Sequence, residues 1–120
     1  MTIAPARIQI EVIATTMIVT GEIDSHSRDD LALAMTPLLL SGHLTVNMAS
    51  VYFIDTSGLR VLVDAHHFAQ QSGHRFAISL PSRRVEKILD MSDVGHMIEV
   101  VGRNRPRRST EARTDPGGQS

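Results

Sequence analysis

The chain contains no cysteine and no tryptophan, and aromatic residues make up only 3% of its 120 positions. Without cysteine it can form neither a disulfide framework nor a thiolate metal site, which favours a reducing compartment. The scarcity of aromatic side chains leaves few surfaces on which nucleobases could stack. The sequence therefore predicts a cytoplasmic protein that does not bind nucleic acid.

Long apolar segments are absent as well. The longest uninterrupted apolar run is only five residues, at 31–35, far below the roughly 20 that a membrane-spanning helix needs. The N-terminus has no basic segment leading into an apolar stretch, as an export signal would have. Among the six histidines, His66 and His67 are adjacent and point to different sides of a helix, without another ligand at metal-binding spacing. We therefore expect no membrane association, no metal and no cofactor.

The chain has enough apolar material for one core, since 42% of its residues are hydrophobic and 21% are charged. Its charge changes sign at residue 103. Residues 1–102 hold seven Lys and Arg against eleven Asp and Glu, whereas residues 103–120 hold five Arg against two acids. The second segment has no large apolar residues with which to offset the entropy of ordering. We predict a single domain at residues 1–102 and a disordered, Arg-rich tail at residues 103–120.

Hydrophobic patterning predicts strands that alternate with helices. Two short alternating runs at the N-terminus indicate a hairpin, and three further apolar runs are typical of buried strands. Three segments between them have helical spacing, and the most regular begins near Ser57 and stops at Gly73. This order predicts an α/β fold with a mixed, mainly parallel five-stranded sheet and about three helices. The apolar face expected on the helix that begins near Ser57 consists of Val61, Leu62, Ala65, Phe68 and Ala69.

Proline occurs inside the first predicted helix, at position 37. A proline that deep removes an internal hydrogen bond of the helix. We therefore expect this helix to end near Thr36 or to kink there.

The segment "DTSG", residues 55–58, lies between an apolar strand and the most regular helix. The first amide groups of a helix have no partner within it, so such turns favour anions and exposed hydroxyl groups. Turns beyond the carboxyl ends of strands are also frequent functional positions in α/β sheets. The spacing equally allows Asp55, Thr56 or Ser57 to act only as a helix cap, and by itself it leaves both interpretations open.

Three stretches in sequence carry a family resemblance. They are "GEID" at 21–24, "FIDTSGL" at 53–59, and "PSRRVEKILDMSDV" between two later strands. Over about residues 7–101 the chain resembles the stand-alone bacterial anti-sigma factor antagonists of the STAS domain family. The resemblance implies a STAS-like single domain that acts by binding and is not an enzyme.

The resemblance also implies a switch. In such proteins the hydroxyl residue after the aspartate is phosphorylated by a partner of the histidine-kinase-like ATPase fold, which is both kinase and anti-sigma factor. Thr56 occupies that position, Ser57 matches the second hydroxyl, and Asp24 and Asp55 match the two acids near the site. Gly58 matches a glycine that lets a partner approach the backbone. The unphosphorylated protein would bind the kinase and release a sigma factor, and a phosphatase would restore that state.

A second stripe on the same helix, formed by Leu59, Val63 and His66, is expected to face the partner. The alternative is that the helix is buried over a wide arc. Arg60 is interpreted as a solvated surface charge.

The chain departs from the family pattern in three ways. Threonine stands where serine is usual, Pro37 interrupts a helix that runs longer, and the Arg-rich tail replaces a fourth helix. Two other functions remain open. One is a non-switching STAS scaffold subunit of a stress-sensing complex, and the other is a small hydrolase or protease that uses Asp55 or Ser57.

Overall fold

The computed structural model describes residues 7–103, so residues 1–6 and most of the predicted tail, residues 104–120, lie outside the described part. The described chain forms five strands, three α-helices and one 3₁₀ turn. The strands are β1 Ile8–Ile13, β2 Thr16–Ile23, β3 Leu44–Ile54, β4 Phe76–Ser79 and β5 Glu99–Val101. The helices are α1 Arg28–Ser41, α2 Thr56–Ser72 and α3 Arg83–Asp90, and the 3₁₀ turn is Asp93–His96.

The five strands form one sheet in the order β1-β2-β3-β4-β5. β1 and β2 are an antiparallel hairpin, and β2, β3, β4 and β5 are parallel to their neighbours. Each parallel connection contains one of the three helices, as parallel pairing requires. The predicted α/β class, with a mixed and mainly parallel five-stranded sheet, is confirmed.

β3 is the longest strand, and it contains two irregularities in its pairing with β2. Its register shifts between the partners of Ile18 and Thr20, and again between those of Gly21 and Glu22. Each shift places one more residue on β3 than on β2, which is the arrangement of a β-bulge. The second shift falls at Tyr52, so Tyr52 and Phe53 are both exposed between two buried residues. The bulge thereby turns two aromatic side chains outward just before α2.

One core joins the sheet to the helices. α1 and α2 pack against each other, and α3 packs against β3. The fully buried side chains come from β2, β3 and β4 and from the inner faces of the helices; the largest are Met17, Ile23, Leu31, Met35, Leu39, Leu44, Met48, Leu62, Ile78 and Leu89. Of the face predicted for α2, only Phe68 is half-buried, whereas the other four residues are buried. The sheet and α2 are thus held as one body.

Of the two outcomes expected at Pro37, an end of α1 near Thr36 is wrong, because the helix continues through Pro37 to Ser41. Pro37 lies on the exposed side of α1, so the Leu33 carbonyl that loses its amide partner is on the side facing water. Leu39 is buried in the core beyond the proline, and this packing stabilises the last turn. No helix within residues 7–103 is both long enough and apolar enough to cross a membrane.

Candidate functional site

The turns that follow β2 and β3 lie side by side at the carboxyl edge of the sheet. Ile23 pairs with Ile54, and the Asp55 amide donates to the Ile23 carbonyl at 3.3 Å. Asp24 and Asp55 therefore both follow directly upon paired strand ends. The structure brings together two acids that are 31 positions apart in the sequence.

Asp55 is the N-cap of α2. Its backbone is extended, and its Oδ1 accepts a hydrogen bond from the Gly58 amide at 3.1 Å. Thr56 is the first residue of the helix and is exposed, whereas Ser57 is half-buried. The cap interpretation is thus correct for Asp55, and it leaves the Thr56 hydroxyl accessible at the helix N-terminus.

Asp24 is buried, with only 6% of its surface exposed, and its carboxylate is held on all sides. Oδ2 accepts two hydrogen bonds from Arg7, at 3.0 Å from Nε and 2.7 Å from a terminal nitrogen. Oδ1 accepts from the amides of His26 and Ser27 at 2.9 and 3.1 Å. The Ser27 hydroxyl in turn donates to the Glu22 carbonyl at 2.5 Å. Asp24 thereby fixes the start of α1 to the hairpin.

The hydrogen bonds from Arg7 keep the pKa of Asp24 far below its usual range, against the opposing effect of burial, and the His26 and Ser27 amides add to the lowering. The acid is therefore a carboxylate at any physiological pH. Its charge is compensated by Arg7 inside the same chain.

Gly58 was expected to let a partner approach the backbone. The structure gives a different reason for a glycine at this position. Gly58 is buried where the first turn of α2 meets the ends of β2 and β3. A Cβ at this position would lie 2.6 Å from the Ile23 carbonyl oxygen and 2.9 Å from a side-chain carbon of Ile54. The close approach is between α2 and the sheet, so the missing side chain serves the fold.

The stripe of Leu59, Val63 and His66 is only partly at the surface. Leu59 belongs to the core, whereas Val63 and His66 are half-buried. Burial lowers the pKa of His66, and its neighbour His67 lowers it further. At neutral pH His66 is therefore uncharged, and with Val63 it forms a weakly polar patch on the outer side of α2.

Four residues at this edge were not identified from the sequence. Arg7 lies 3.4 Å from Glu22 in addition to its bonds with Asp24, and the Tyr52 hydroxyl donates to Glu22 at 3.3 Å. Phe53 is exposed beside them. The signal for the aromatic pair was available, because the chain has only four Phe and Tyr residues and two of them directly precede "IDTSG". The bulge that turns both outward is not visible in the pattern.

The site is a partly apolar surface with an accessible hydroxyl, and it differs from a metal centre. Among residues 7–103, no three His, Asp or Glu side chains are arranged to hold a metal ion. What the arrangement offers is an exposed hydroxyl group, that of Thr56, near the exposed aromatic side chains of Tyr52 and Phe53.

Sequence comparison places this site in a known family. A model of the STAS domain matches residues 6–110. An anti-sigma F factor antagonist from Paenibacillus polymyxa is 28% identical over 76 residues, which cover 61% of this chain. The chain spans 65% of the length of that relative.

Solved structures show the same fold. SpoIIAA, an anti-sigma factor antagonist, in its unphosphorylated form has a TM-score of 0.63 at 19% identity, over 78% of this chain and 86% of the other. The Bacillus cell fate determinant SpoIIAA in its phosphorylated form has a TM-score of 0.59 at 18% identity, over 78% of this chain and 89% of the other. The fold and the match over residues 6–110 agree, and the chain belongs to the STAS domain family.

Proposed function

We propose that this protein is an anti-sigma factor antagonist, switched by phosphorylation of Thr56. In the unphosphorylated state it binds an anti-sigma factor that is also a serine/threonine kinase, and the sigma factor is released. Phosphorylation of Thr56 ends the binding, and a phosphatase restores it. The protein acts in the cytoplasm as a binding protein rather than as an enzyme.

The observation that carries the proposal is the position of Thr56. It is exposed at the first residue of α2, directly after the capping acid, in a chain of the STAS family. A structural relative, SpoIIAA, has been solved both without and with a phosphate. The relative at 28% identity is likewise named an anti-sigma factor antagonist.

Phosphorylation at this position would leave the fold intact. A phosphate adds about −1.5 to −2 charges, and a helix N-terminus stabilises negative charge by up to about 2 kcal/mol. Asp24, the acid of the neighbouring turn, is already compensated by Arg7, so repulsion within the chain is reduced. An acidic group on a partner about 7 Å away would experience about 2.4 kcal/mol of repulsion for each unit charge at an effective dielectric near 20. The switch therefore acts on the interface.

The surface for the kinase surrounds Thr56. We assign to it Ser57, the exposed pair Tyr52 and Phe53, and the patch of Val63 and His66. Tyrosine and phenylalanine are enriched in the centres of protein interfaces, and exposed aromatic residues are otherwise nearly absent from this chain. Three members of the predicted set are buried and shape this surface from below: Asp24, Gly58 and Leu59. Asp55 is half-buried and contributes through its cap.

The test uses the full chain with ATP and the anti-sigma factor kinase encoded beside its gene. We expect phosphate incorporation into the wild type and Ser57→Ala, and none into Thr56→Ala. Thr56→Ala should remain folded and bind the kinase constitutively. Phosphosite mapping by mass spectrometry checks the position. Labelling that persists in Thr56→Ala and disappears in Ser57→Ala would move the acceptor by one residue, and absence of labelling in all three would refute the switch.

Binding measurements extend the test. Thr56→Glu should weaken kinase binding by about 1 to 2 kcal/mol, because a carboxylate carries about half the charge of a phosphate. A kinase that binds the wild type and Thr56→Glu equally would contradict the proposal. Assembly of the wild type into megadalton particles would instead favour the scaffold function.

A further inference from the structure

Arg60 is the one Lys or Arg residue of α2, and it is exposed. The ion pairs that arginines form within residues 7–103 involve Arg7, Arg28, Arg75 and Arg103. Arg60 therefore has no carboxylate within 4.0 Å in this part of the chain. It stands on the same helix as Thr56, four positions later.

From this placement we propose that Arg60 binds the phosphate on Thr56 within the same chain and holds it against the first turn of α2. The proposal rests on the proposed phosphorylation of Thr56. It adds a positioning residue to the switch, since Arg60 would orient the modified side chain and compensate part of its charge.

The geometry of a helix supports this pairing. Residues four apart are neighbours on one face, and an acid that precedes a base by four positions is the favourable order, because both charges then suit the helix dipole. Thr56 and Arg60 are both exposed, so neither needs to leave the core. A guanidinium donates two parallel hydrogen bonds to a phosphate, which a lysine cannot do.

Two of the other arginines are already paired with acids. Arg7 already bonds Asp24 with two of its nitrogens. Arg75 pairs with Glu99 at the opposite edge of the sheet, where β4 begins. Asp64 lies one turn beyond Arg60 and competes for it, yet the two form no ion pair in the unmodified protein, whereas a phosphate would offer up to twice the charge.

The pairing predicts a shift in the second ionisation of the phosphate. Arg60 stabilises the dianion, so its removal should raise the second pKa of phosphothreonine by about 0.3 to 0.7 unit, as expected for a charge-assisted pair between neighbouring turns. Part of this shift should disappear at high salt, because the pair is exposed.

The experiment uses the full chain with phosphothreonine installed at position 56 during translation, which requires no kinase. Phosphorus NMR titrations compare the wild type with Arg60→Ala, Arg60→Lys and Arg75→Ala. Arg75→Ala removes one positive charge far from Thr56 and is the matched control. We expect the control to titrate as the wild type does, Arg60→Ala to show the raised pKa, and Arg60→Lys to lie between them.

An equal pKa in Arg60→Ala and in Arg75→Ala would overturn the proposal. A second measurement is the ¹⁵N signal of the Arg60 side chain, which should shift on phosphorylation in the wild type and in Arg75→Ala. No shift of that signal would also count against the pairing. Because the phosphate is installed independently, these outcomes differ from failure of the proposed function, which would appear as absence of labelling by the kinase.

Discussion

Two turns of the same kind lie side by side in this protein, and they have different roles. Each follows a strand, begins with an aspartate and leads into a helix. In the turn after β2, Asp24 is buried and accepts hydrogen bonds from Arg7 and from two amides. In the turn after β3, Asp55 accepts one hydrogen bond from Gly58, and Thr56 next to it is exposed.

The two turns differ in how far their polar groups are satisfied within the chain. The first turn uses its polar groups within the chain, so little remains for a partner or a modifying enzyme. In the second turn, the Asp55 carboxylate accepts a hydrogen bond only from the Gly58 amide, and the Thr56 hydroxyl is exposed to water. The register of β2 and β3 keeps both turns at one edge, where the rigid turn supports the accessible one.

The largest loss of stability is expected at Gly58, where the first turn of α2 contacts the strand ends that lead into the two turns. Gly58→Ala would place a Cβ 2.6 Å from the Ile23 carbonyl oxygen, and a backbone atom cannot move away as cheaply as the end of a flexible side chain. We expect a loss of about 1 to 3 kcal/mol of unfolding free energy, as in overpacked cores, measured by urea denaturation. Gly42→Ala is the control, because its φ of 174° is extended and no atom lies within 4 Å of the added Cβ. Equal losses in both variants would mean that α2 does not rest on β2 in solution.

The next largest effect is a dependence of stability on pH, which arises from Asp24 in the first turn. The pKa of Asp24 is lowered in the folded state by its hydrogen bonds with Arg7, so the unfolded chain takes up the proton first as pH falls. Its stabilising contribution is complete above about pH 5 and is lost progressively below about pH 4, toward the folded-state pKa. Asp24→Asn should melt below the wild type at pH 7, with a difference that shrinks toward pH 3.

Asp64→Asn, on the exposed side of α2, serves as the charge control for that titration. A difference between wild type and Asp24→Asn that stays constant from pH 7 to pH 3 would show that the carboxylate is not held as described.

The smallest loss of stability is expected at the second turn, from substitution of Asp55. Asp55→Ala removes one cap hydrogen bond to the Gly58 amide, which costs about 1 kcal/mol. Asp55→Ser retains a capping oxygen and should recover most of this loss in thermal unfolding. A larger loss at Asp55 than at Gly58 would reverse the assignment of support and function between the turns.

Much of the site follows from local sequence. Gly73 ends α2 with a φ of 75°, as the pattern predicts. Ser82 caps α3 by accepting from the Val85 amide. Asp55 was one of three cap candidates, and spacing alone could not choose among them. Leu59 was placed at the surface by helical periodicity, but α2 is buried over a wider arc because the sheet extends beneath it.

The sequence by itself determined the order of strands and helices, the family, and the placement of the "DTSG" segment between a strand and a helix, because periodicity and turn residues are properties of neighbouring residues. Only the tertiary structure decided that Arg7 compensates Asp24, that Gly58 serves the contact between α2 and β2, and that Tyr52 and Phe53 face outward. These features depend on strand register and on distances between segments far apart in the chain. A hydrophobic pattern carries the period of each element, but it carries neither the register between two strands nor the space left between a helix and the sheet.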